Sequence, residues 1–301
     1  MRAAFWPPLR QSEFMPNLPY WRLSGFYFFY FAFVGAMSPF WGLYLQSLAF
    51  NAFQIGVLMS LLQVMRIFAP NIWGHIADRT GRRTTIVQIA ALGSVLVFTG
   101  VFVGDSFWWL FAVMAALSFF WSASLPLVEA MTLSHLGERT DTYGRIRLWG
   151  SIGFALGGLL FGGLGQWLSL QNLFPAYALL MLLALPATWR MVDSEPPAPP
   201  RNMGHTRALL RDRPLVLFLA ISGLAAVSIT AGYLFLYVFL GELGADPELM
   251  GKVSAIGALA EVPLMACSGR LIRRWGAPPV LAVSMALFGL GWGLYACLNA
   301  A

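Results

Sequence analysis

Arg66 and Glu261 each stand as a lone charge inside a long apolar run, eight residues ahead of Gly74 and Gly269 respectively. A charged side chain at the centre of a membrane-embedded helix costs about 2.5–3.5 kcal/mol on insertion scales, so such a residue marks a buried partner, a water-filled space or a solute path. The chemistry open to this pair is mutual ion pairing, capture of an anion by the guanidinium and proton uptake by the carboxylate. At 1.5 Å per residue both lie roughly 12 Å along their helices from the end that carries the glycine. Their equal depth predicts that they face each other across a central cavity as an opposite-charge pair.

The glycines belong to a motif that occurs twice. Gly74-His75-Ile76-Ala77-Asp78-Arg79-Thr80-Gly81-Arg82-Arg83 returns 195 positions later as Gly269-Arg270-Leu271-Ile272-Arg273-Arg274-Trp275-Gly276, and Leu45, Leu48 and Gly56 find Leu240, Leu243 and Gly251 at the same offset. An insertion-free register over more than 30 residues reads as duplication of a helical unit. Within the first copy, Gly74 is expected to let another helix approach closely, and Gly81 to take the positive φ of a tight turn. Asp78 is expected to hold a neighbouring helix start or pair with an arginine. With Arg79, Arg82 and Arg83 these residues are read as a conformational clip at one face. A second charged pair, Glu129 and Arg147, sits eighteen residues apart, and residue chemistry alone reads it as an ion pair at the inner ends of spans four and five.

Positioning these groups falls to helices in a bilayer. The chain is 58% hydrophobic and 11% charged, too little polar side chain to cover a water-soluble fold of this length. Runs long enough to cross about 30 Å of hydrocarbon lie near 23–46, 53–74, 84–104, 107–134, 148–169, 173–192, 214–240, 249–269 and 277–299. Seventeen of the nineteen Lys and Arg fall in the N-terminal tail and in alternate connections, which puts those segments and the N-terminus in the cytoplasm. The formal charge of +6 is therefore a topology signal, and nucleic-acid binding loses its support. The organisation expected is a tail at 1–20, a six-helix bundle at 21–193, a Pro-rich cytoplasmic linker at 194–213 and a three-helix partial bundle at 214–301. Duplication logic expects about three further helices after Ala301. Dinucleotide, Walker, His-Glu-x-x-His and Gly-x-Ser-x-Gly motifs are absent from the sequence, so no enzyme and no cofactor is expected. Neither the two cysteines nor the three histidines have metal-ligand spacing. The expected partners are lipid, protons and a small organic solute, with no obligate protein partner.

The Gly74–Arg83 motif between spans two and three resembles the signature of the major facilitator superfamily. The aromatic opening Phe26–Phe31 with Gly35-Ala36 and Pro39-Phe40 is similar to the first helix of lactose permease-type transporters. Pro126–Ala130 and Tyr143–Phe154 are similar to their fourth and fifth helices. Within that group the likeness is to phenylpropionic acid transporter-like proteins and their nucleoside:proton symporter relatives. The resemblance implies an all-α, polytopic inner-membrane transporter of the major facilitator fold that works by alternating access. It implies that Arg147 grips solute oxygens while Glu129 accepts a hydroxyl or holds the arginine, with Phe154 in the place of a stacking ring and Tyr30 on a cavity-lining helix. Arg66 joins the solute site, and Glu261, with Glu129, carries the proton. The reading is proton-coupled uptake of an aromatic or other carboxylate. A nucleoside or saccharide symporter, or a non-transporting membrane scaffold or remnant, stands as the alternative.

Overall fold

A computed structural model describes residues 19–137, 142–165, 167–168, 175–183 and 211–300, with 228–235, 277 and 292–300 described as backbone only. Nine helical segments occur among them: α1 (Tyr20–Ser47), α2 (Ala52–Thr80), α3 (Arg83–Phe98, continued by a 3-10 turn at Thr99–Phe102), α4 (Phe107–Leu136), α5 (Tyr143–Leu164), α6 (175–183), α7 (Arg213–Glu242), α8 (Pro247–Trp275) and α9 (Ala277–Ala300). No strand occurs among the described residues, as expected where each buried N–H and C=O must be satisfied within its own segment. Six of the helices are long and apolar enough to span a membrane, and apolar stretches at Arg213–Val227 and Pro278–Gly291 lie on α7 and α9. Nearly all of the N-terminal tail and of the predicted linker lies outside the described residues.

Helix ends follow local chemistry. Asn51 caps α2 by accepting from the Gln54 N–H while the Gln54 side chain accepts from the Asn51 N–H, and Asp246 caps α8 by accepting from the Leu249 N–H. Gly81 closes α2 in the left-handed region at φ 66°, where a side chain would be strained.

Aromatic side chains form the core around α1, where Phe26, Tyr27, Tyr30, Phe33, Phe40 and Trp41 are buried. The closest backbone approaches belong to α5. A Cβ at Gly153 or Gly157 would run into the carbonyl oxygens of Phe28 and Ala32, and one at Gly35 into that of Phe154, so α1 and α5 touch backbone to backbone. On another face of α5, Gly158 and Gly162 meet Gly251, and Gly144 meets the Met265 carbonyl, which seats α8. Helix α5 is thereby wedged between the first helix and the second copy of the repeat. Helix α2 packs on α4, where Trp73 donates its indole N–H to the Phe119 carbonyl at 3.1 Å.

Span five starts earlier than hydropathy indicated. Helix α5 begins at Tyr143 rather than 148, so Arg145 and Arg147 lie inside it. A hydropathy window discounts a charged first turn, whereas the backbone needs only an uninterrupted run of helix-compatible residues.

Candidate functional site

Arg66 is fourteen residues from either end of α2, and Glu261 is fourteen from either end of α8. A 29-residue helix is about 43 Å long, so both sit at mid-helix. Both line one cavity of about 440 Å³ bounded by α1, α2, α4, α5 and α8, together with Arg147, Phe154, Gln63 and Trp121. Most of its wall is apolar or aromatic, with a few convergent polar groups, the usual make-up of a small-molecule site.

The predicted Arg66–Glu261 ion pair is not formed. Arg66 instead donates to Gln63 Oε1 at 3.2 Å, one turn back on its own helix, and Glu261 accepts from the Ser151 hydroxyl of α5 at 3.4 Å. Equal depth put the two residues on one cavity. Their helices form separate walls of it, and each charge bonds a polar neighbour instead.

Glu129 and Arg147 likewise do not pair. Glu129 accepts from the Tyr143 hydroxyl at 3.2 Å and is not part of the cavity wall. Tyr27, whose hydroxyl lies 3.4 Å from that of Thr132, adjoins the same group. Arg147 turns away and lays its guanidinium over the Phe31 ring, 3.8 Å from the centroid, with Tyr27 farther off at 5.8 Å. Among the described residues it has no hydrogen-bond acceptor. A half-buried arginine held by a ring face keeps its donor edges free for a planar anion.

Tyr30 is buried behind the cavity wall, stacked on Trp121 at 4.2 Å, with its hydroxyl in the field of Arg66 first and of Glu129 and Arg147 after it. Phe154 lies on the cavity wall. Trp121 escaped the sequence reading because fifteen per cent of the chain is aromatic and nothing local distinguishes this ring. A signal was present in Ser118, Ser122 and Ser124, three small polar residues crowded into an apolar helix beside it.

The motif residues lie at the far end of α2. Asp78 pairs with Arg83 at 3.0 Å; Arg83 is 8% exposed, while Arg79 and Arg82 are exposed. Gly74 departs from expectation, since a Cβ there would meet nothing within 4 Å, and no helix among the described residues closes on it.

The family model described as "MFS_1 like family" matches residues 20–301. A maltose permease of Geobacillus stearothermophilus is 32% identical over 274 residues, covering 90% of this chain and 69% of that protein. A probable 3-phenylpropionic acid transporter of Escherichia coli (strain K12) is 25% identical over 289 residues, covering 93% of this chain and 74% of that one. Among solved structures, a mutant of the nucleoside transporter NupG superposes with a TM-score of 0.69 at 20% identity, covering 85% of this chain and 69% of the other.

Proposed function

The chain belongs to the MFS_1-like family of major facilitator transporters, and on that premise we propose that it carries a small organic anion, an aromatic carboxylate above all, through the cavity between α1, α2, α4, α5 and α8. The observation that carries this is Arg147: a guanidinium on the cavity wall, held by a ring face and given no acceptor by the described residues. A carboxylate offers two oxygens at the spacing of the arginine fork. Arg66 adds a second cation to the wall, and Trp121, Phe31 and Phe154 offer surfaces to an apolar or aromatic body.

Glu261 is the proton site of this proposal. It is the only carboxylate among the described residues of the wall, so neutralising it raises the attraction of the cavity for an anion, and proton and solute favour each other's binding. Glu261→Gln, which holds the site permanently neutral, should bind a carboxylate more tightly than the parent. Glu129 acts outside the cavity, holding Tyr143 at the start of α5.

A saccharide or nucleoside is the second reading, supported by the polar wall groups Gln63 and Ser151 and by the names of the relatives above. Equilibrium binding to the chain in lipid nanodiscs separates the two. An aromatic carboxylate should bind at least about tenfold more tightly than its amide, a difference of about 1.4 kcal/mol, and Arg147→Gln should erase that preference. Equal affinity for the acid and the amide, or tighter binding of a sugar or nucleoside, overturns the anion reading.

In a bacterial cell the proposed location is the inner membrane, with the N-terminus cytoplasmic, supported by the seventeen cations that mark one face. A reporter fused within 194–213 should read as cytoplasmic and one at Asp105 as external.

A further inference from the structure

Arg147 enters α5 within its first turn and a half, where a long cationic side chain would ordinarily turn back toward the near end of the helix and reach water. Helical side chains also lean toward the N-terminus by default. This one runs the other way. A Cβ built on Gly150, three residues on and so on the same helix face, would lie 2.5 Å from Arg147 Nη1 and 2.8 Å from Phe31 Cδ2. The guanidinium therefore occupies the space where a side chain at 150 would be, wedged between the backbone of α5 and the ring of α1.

The neighbouring glycines of α5 differ in kind. At Gly153 and Gly157 the obstruction is backbone carbonyl of α1, so any side chain there must separate two helices. At Gly150 the obstruction is side chain rather than backbone, the end of Arg147 at Nη1 and the near edge of the Phe31 ring at Cδ2 and Cγ, of which the arginine end is the freer to move. Glycine at 153 and 157 lets two backbones meet, whereas the space at 150 is taken by one arginine and one ring.

We infer that Gly150 is the positioning residue for Arg147: the missing side chain lets the guanidinium climb toward the middle of the bundle and lie flat on Phe31, and so sets where the anionic group of the solute is held. This rests on the reading of Arg147 as the anion-binding group. It also accounts for the lack of a Glu129–Arg147 ion pair, since an arginine directed past Gly150 is turned away from a carboxylate that is bonded to Tyr143. Alanine at 150 would push the guanidinium off the ring.

The test uses Gly150→Ala in the full chain, labelled with 15N-arginine and held in lipid nanodiscs, with two readouts. The first needs no solute: the Arg147 Nε–H resonance, assigned by its loss in Arg147→Lys, should be shifted upfield by the Phe31 ring current in the parent. It should return toward the ordinary arginine position in Gly150→Ala and in Phe31→Leu. The second is the affinity ratio of an aromatic carboxylate to its amide, which should fall at least about tenfold in Gly150→Ala while amide affinity stays the same. An unmoved resonance in folded Gly150→Ala overturns the proposal. So does a moved resonance with an unchanged ratio, or a variant that does not fold, since side-chain atoms and no backbone of another helix stand in the way. If the parent itself does not prefer the acid, the anion reading fails while the resonance still decides whether Gly150 positions Arg147.

Discussion

Helices α2 and α8 begin and end 195 positions apart, are 29 residues long apiece, and carry their N-caps (Asn51, Asp246) and closing glycines (Gly81, Gly276) at that same offset. The turns that precede them match bond for bond. Leu48 donates to the Tyr44 carbonyl as Leu243 does to Phe239, Phe50 to Leu45 as Ala245 to Leu240, and the left-handed residue is Ala49 in one turn and Gly244 in the other. Among their many differences are charges: Arg66 against Glu261 at mid-helix, Asp78 against Arg273 near the exit, and Arg83 against Pro278 after it. What the copies share includes the caps, turns and closing glycines that the backbone needs, and what they do not share includes the charges of the cavity and of the helix exit. Duplicated architecture has thus been given unequal chemistry on its two sides.

Reversing the mid-helix difference should have the largest effect. Arg66→Glu removes a cation from the cavity and sets a second carboxylate there, a change of about 3 kcal/mol in anion binding or roughly 100-fold in affinity. Glu261→Gln should move affinity the opposite way at neutral pH. Titration with an aromatic carboxylate measures both, and changes of the same sign would mean that the two copies do not serve one site.

The exit of the first copy should be next. Asp78→Ala strands the largely buried Arg83 and should cost about 1.5 kcal/mol, discounted from a buried pair because Asp78 is mostly exposed. Arg273→Asp restores the carboxylate to the second copy but meets Pro278, so its stability should stay within about 0.5 kcal/mol of the parent. Unfolding in mixed micelles reads both, and a clear gain from Arg273→Asp would show that the two exits are alike after all.

Caps should respond equally. Asn51→Ala and Asp246→Ala should each cost about 1 kcal/mol, since each removes one acceptor from a first-turn N–H. A cost confined to one of them would break the equivalence of the helix starts.

The smallest effect is a gain. Ala49 is in the left-handed region at φ 59°, where its pseudo-equivalent is Gly244 at 82°. Copying that glycine should stabilise the chain by roughly 0.5–1 kcal/mol, while Gly244→Ala should cost a similar amount. Thermal unfolding of the two single variants checks the pair.

Sequence alone determined the parts governed by neighbours a few residues away. Runs of apolar residues specify spanning helices, Asn51 and Asp246 their starts and Gly81 the turn, because cap and turn energies depend on three or four consecutive residues. The offset between copies assigned Arg66 and Glu261 one depth, since rise per residue is nearly constant. Tertiary structure alone decided which walls they occupy, because helix rotation comes from packing over the whole length and no short pattern encodes it. It separated Glu129 from the cavity, sent Arg147 inward over Phe31, left Gly74 unapproached by the described residues and brought Trp121 to the wall. Gly150 shows the division most sharply. Its identity is plain in the chain, but its purpose depends on a ring 119 residues away in sequence, brought within van der Waals reach only because Gly153 and Gly157 let two backbones touch.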